Sequence, residues 1–118
     1  MDDLDFDPER FVIVNPVWHV VHQKTLDVAL GMAADGNRYV PVFTDRDLAE
    51  RFARRTCDPD AQAAMIPTLP DWLEYLELLA NEGHEFVIID PEPGRRLRRA
   101  RTIDVVARLR ESIHRQRG

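Results

Sequence analysis

Tyr39 to Phe52 reads YVPVFTDRDLAERF, a strand that runs into a threonine and then into a helix. Val40 and Val42 point one way while Tyr39, Pro41 and Phe43 point the other, the period-2 alternation of a strand. Thr44 stands where an N-cap belongs, with Asp47 three residues later in capping-box position. Leu48, Ala49 and Phe52 then form a helical stripe, which predicts a helix from Asp45 to about Arg54.

Working back from this joint, Asp35-Gly36-Asn37 separates Leu26–Ala34 from Arg38–Phe43. Asp-Gly between two strand-like runs predicts a hairpin, because such turns need positive φ. Pro41 has no N–H to give a ladder, so either one side of its strand lacks a partner or the ladder is interrupted there. Phe11–Val14 and Val17–Val21 are short β-rich runs split by Asn15-Pro16, and one or both are strands. Residues 1–9 are an acidic lead-in, and residues 10–118 are expected to form a single domain.

Working forward, Thr56–Ala64 with Asp58-Pro59 is expected to be a loop, and Met65-Ile66 a short strand. Pro70–Glu82 is the clearest helix, with Trp72, Leu73, Leu76, Leu79 and Ala80 on one face and Gly83 placed to end it. Phe86–Ile89 is continuously apolar, as a buried strand should be. Arg95–Arg101 reads as an outer strand. Thr102 caps a last helix whose stripe is Ile103, Val106, Leu109 or Arg110, and Ile113. The order is β-β-β-α-β-α-β-β-α, an α+β fold with about three helices on a small mixed sheet. Its expected core includes Val40, Val42, Phe52, Leu76, Leu79, Val87 and Ile89.

The chain has 118 residues, 44% apolar and 31% charged, which is ordinary for one soluble domain with its own core. Its acidic N-terminus lacks a secretory pattern, no apolar run approaches a membrane span, and Cys57 is the only cysteine, so the expected location is cytoplasmic. The net charge of −5 is uneven: residues 1–91 carry 18 acids and 7 bases, residues 92–118 carry 3 acids and 9 arginines. The acidic body disfavours general nucleic-acid binding, which needs a positive field.

Three pieces in fixed order carry a family resemblance: the hairpin ending Val40-Pro41-Val42-Phe43-Thr44-Asp45, the Leu-rich helix Trp72–Ala80, and the strand Val87-Ile88-Ile89 closed by Asp90-Pro91. Together they resemble the N-terminal domain of the bacterial SseB family, named for enhanced serine sensitivity. The resemblance spans most of the chain, although Asp90-Pro91 stands where the family usually has Asn-Pro. It implies a small α+β domain and supplies no catalytic residue. The family's C-terminal domain has no counterpart in these residues, so activities that reside there are not carried over.

Each candidate for chemistry has a plainer reading beside it. His19 and His22 would share a face on a helix and offer two metal ligands, but on a strand they point apart. Cys57 would need His22 or His84 close by to act as a nucleophile, and otherwise is a free thiol. Asp45 and Asp47 suit a helix start better than acid–base work. Asp90 ends a central strand, where ligands collect, but it lacks a second catalytic group and also suits a turn before Pro91. Arg95, Arg96, Arg98, Arg99 and Arg101 could bind an anion or acidic protein, face solvent, or find an intramolecular partner such as Asp2–Glu9. Trp72 and Tyr75 are either core or part of a contact surface. The expectation is a non-enzymatic interaction or regulatory domain with no catalytic, cofactor or metal residues. Its expected partner is another protein or a second copy of itself, with no membrane. Anion or nucleic-acid binding through Arg95–Arg101 is the alternative, and a small hydrolase centred on Asp90 or Cys57 is the second.

Overall fold

A computed structural model describes residues 16–25, 27–33, 35–91 and 99–117. The elements are β1 (Val17–His22), β2 (Gly31–Met32), β3 (Arg38–Val42), α1 (Arg46–Arg55), β4 (Ala61–Ile66), α2 (Leu69–Asn81), β5 (Phe86–Ile89), β6 (Arg99–Arg101) and α3 (Thr102–Arg117). This is the predicted α+β order. The alternative first strand at 11–14 lies outside the described residues, as does the lead-in at 1–9.

Four strands form a sheet in the order β2-β3-β5-β6, and β1 pairs with β4 in a second, two-stranded sheet. β3 and β5 are parallel, and the other paired strands are antiparallel. A parallel pair needs a long crossover, and the crossover here carries α1, β4 and α2. The two sheets meet where Trp18 and Phe43 exchange backbone hydrogen bonds, both 2.8 Å. β2 pairs only with Arg38 and Tyr39, so Pro41 lies beyond its end, as a residue without an N–H requires.

β3 is covered on both faces. Val40 and Val42 enter a core with Trp72, Leu76, Leu79, Val87 and Leu109. Phe43, just past the strand, enters a second core with Val20, Ala49, Phe52 and Ala53. The Phe43 and Phe52 ring centroids are 5.5 Å apart. Of the expected core, Ile89 alone is half-buried rather than buried.

The hairpin forms as its turn residues predict. Gly36 has φ 87°, Ala33 N–H donates to the Asn37 carbonyl, and Asn37 N–H donates to Asp35 Oδ1. In α2, Thr68 is the N-cap and its hydroxyl trades hydrogen bonds with Asp71. Gly83 (φ 95°) ends the helix: its N–H bonds the Ala80 carbonyl and the His84 N–H bonds the Leu79 carbonyl, a Schellman closure.

Three local expectations are corrected. Asp45, not Thr44, caps α1 and accepts from the Asp47 N–H, while Asp90 turns the Thr44 hydroxyl toward the end of β5. The expected loop 56–64 contains most of β4, which pairs residue for residue with β1. Its alanines and glutamine have weak β propensity, so partner pairing rather than local preference makes the strand. The buried face of α3 is Thr102, Val105, Val106 and Leu109, and Ile103 is 64% exposed. Thr102 fixes the helix rotation, since its N–H and hydroxyl donate to the Glu85 and His84 carbonyls.

Truncating Phe43 should destabilise the domain by about 3–5 kcal/mol. Truncating Leu78, which is largely exposed, should change stability by no more than about 0.5 kcal/mol. Urea unfolding of Phe43→Ala beside Leu78→Ala measures both, and equal losses would contradict the two-sided core.

Candidate functional site

The residues with chemical potential are mostly drawn into the frame. Asp90 closes β5 with φ 51°, a left-handed conformation that costs an ordinary side chain energy. Its two carboxylate oxygens accept the Thr44 N–H (2.8 Å) and hydroxyl (2.7 Å), and its own N–H donates to the Val42 carbonyl. Asp90 therefore clasps the end of β5 to the joint between β3 and α1. Asp45 caps that helix, and Asp47 pairs with Arg51 one turn on at 2.9 Å.

Cys57 is exposed, with φ 59° at the position where helices often place glycine. Its thiol bonds the Arg55 carbonyl at 3.8 Å, and neither His22 nor His84 hydrogen-bonds it.

Arg95, Arg96 and Arg98 lie outside the described residues. Arg101 is exposed, but Arg99 is 6% exposed. The Arg99 guanidinium reaches Asp35 Oδ2 at 2.8 Å and lies 4.4 Å from the Phe86 ring centroid. The Asn37 N–H first, and Arg99 second, hold the Asp35 carboxyl below the usual carboxylate range. The hairpin turn is thus an intramolecular partner of this arginine.

Trp72 is 1% exposed and belongs to the core, which removes it from an accessible contact surface. Tyr75 is half-buried with its hydroxyl shielded. It stands edge-on to His19, with ring centroids 4.6 Å apart. Burial pushes the Tyr75 phenol up and the His19 imidazole down to about 4.

The accessible surface of α2 and α3 carries a groove of about 330 Å³, lined by Pro70, Leu73, Glu74, Glu77 and Ile113. Leu73 and Ile113 are half-buried, packed against the core beneath. Glu77 is tied to Arg110 at 3.4 Å, while Glu74 is exposed and makes no ion pair among the described residues. Amphipathic spacing marked Leu73 and Ile113 as inward-facing. Their meeting across two helices was not readable from either stripe.

A second constellation was also missed. β1 and β4 pair His22 with Ala61, which brings the preceding loop over the imidazole. His22 Nε2 lies 3.4 Å from Asp58 Oδ2 and 3.8 Å from Asp60 Oδ2. His19 and His22 do point apart, and the acids that join His22 are distant in sequence.

The chain matches no family model and no curated protein. Among the described residues, no helix is long and apolar enough to cross a membrane.

Two outcomes follow from this geometry. Asp90→Ala should cost about 2 kcal/mol through lost bonds to a charged acceptor, whereas Asp90→Asn, which tolerates the left-handed backbone, should cost less. Urea midpoints of the two variants give the comparison. For His19 the folded state resists protonation, so the unfolded state binds more protons below its ordinary pKa of 6.5. Its contribution is full above that pH and is lost as pH falls toward about 4, a loss of ~3 kcal/mol. His19→Leu should flatten that part of the stability–pH curve, and an unchanged slope would contradict the assignment.

Proposed function

We propose that the chain is a non-enzymatic protein-interaction domain of the SseB N-terminal type, working in the cytoplasm by surface contact with another protein. The groove between α2 and α3 is the observation that carries this reading. Its apolar floor, Leu73 and Ile113, sits beside the carboxylate of Glu74, with Glu77 on the same helix face. That pattern suits a partner segment with an apolar side chain flanked by basic residues. The outer edge of β4 adds support: among the described residues it has no second strand partner, and AQAAMI contains neither charge nor proline to guard it.

Anion binding through Arg95–Arg101 is the weaker reading, because Arg99 is committed to Asp35 and Phe86. The resemblance supplies no catalytic residue, Asp90 is taken up by Thr44, and the exposed Cys57 thiol bonds the Arg55 carbonyl rather than a histidine, which favours contact over catalysis.

The test is affinity capture from the native host with the wild type and with Leu73→Asp/Ile113→Asp, both checked for folding by circular dichroism. The wild type should retain a protein that the variant loses. That protein's binding segment should be basic and apolar, and Glu74→Lys should weaken it. Identical capture by wild type and groove variant, or none by either, would overturn the proposal.

A further inference from the structure

We infer that His22, Asp58 and Asp60 form a binding site for a divalent transition-metal ion of the Zn²⁺ class. One nitrogen and two carboxylate oxygens converge, all within 4.8 Å of one another. Zinc bonds of about 2.0–2.2 Å at tetrahedral angles set donor atoms about 3.4 Å apart. The imidazole nitrogen stands 3.4 and 3.8 Å from the two carboxylate oxygens, within about half an ångström of that spacing, and the two carboxylate oxygens, within 4.8 Å of each other, draw together on an ion. The imidazole separates this triad from a pair of surface aspartates, since a mixed nitrogen and oxygen donor set favours zinc-like ions over magnesium or calcium. The other imidazole nitrogen, Nδ1, is buried, which leaves Nε2 as the one that faces the acids.

The donors come from two separate pieces of chain held in register by the β1–β4 ladder. Gln23 N–H bonds the Asp60 carbonyl at 2.8 Å, fixing the loop to the end of β1. Asp58 Oδ1 accepts the Asp60 N–H, so its other oxygen is the one presented to His22. Lys24 Nζ, 3.7 Å from Asp60 Oδ2 on a side chain that is 77% exposed, already brings a positive charge to the same carboxylate. It competes with the ion and is free to swing into solvent. Three protein donors leave a fourth position for water or for a ligand from outside. A bound ion would clip the loop between α1 and β4 to the end of β1, a role independent of the groove on α2 and α3.

Isothermal titration of the tag-free full chain with ZnCl₂ at pH 7.5 tests the site. One ion should bind per chain, and the unfolding temperature should rise with it. His22→Ala and Asp58→Asn should each weaken binding by about tenfold or more. Asp60→Asn serves if His22→Ala does not fold. Lys24→Ala should tighten binding, and Cys57→Ser should leave it unchanged. No zinc binding by the wild type would overturn the inference. So would wild-type affinity in the folded ligand variants, or loss of binding in Cys57→Ser.

Discussion

A strand that must be apolar on both faces is the constraint on which this molecule depends. β3 sends Val40 and Val42 toward α2 and α3, and the chain just beyond it sends Phe43 toward α1. Neither core can form without the same backbone, so β3 is a shared wall. The wall then dictates its neighbours. Parallel pairing with β5 demands a crossover, and that crossover supplies the helices that cover each side. β1 is recruited through the Trp18–Phe43 backbone exchange and brings β4 with it. Asp90 completes the arrangement by tying the far end of β5 to Thr44, and it accepts an unfavourable backbone angle to do so.

This constraint explains why so many suggestive polar residues have structural work. A buried charge needs a partner and hydrogen bonds. Arg99, next to the sheet core, therefore takes Asp35 and the face of Phe86, and its side chain pins the β2–β3 turn to β6. Trp72 and Tyr75 sit on the inward side of α2 for the same reason that Leu76 does. Among the described residues, what the packing leaves open is elsewhere: a groove on the outer side of two helices, a strand edge without a second partner, and a loop whose acids lean over His22. Each is produced by elements meeting rather than by a contiguous motif.

The fold was legible where local chemistry and tertiary need agree. Asp35-Gly36-Asn37, the stripe of α2 and the apolar run of β5 each admit one reading. It was illegible where they disagree. Ala61–Ile66 has little local reason to be a strand and becomes one by pairing with β1. Ile103 belongs to a plausible stripe, but Thr102 is held by the Glu85 and His84 carbonyls, which turns a different face inward. Thr44 has the chemistry of a cap, but Asp90, remote in sequence, turns its hydroxyl toward the end of β5, and Asp45 caps α1 instead.

The sequence by itself determined the order of elements, the residues of β3 that must be buried and the glycines that end the turns, because periodicity and backbone sterics act over a few residues. Only the tertiary structure decided which polar groups meet. The Asp90–Thr44 clasp, the Arg99–Asp35 pair, the Leu73–Ile113 groove and the His22–Asp58–Asp60 triad each join residues that strand register or helix packing brings together. Those distances are set by long-range packing, which no local pattern encodes.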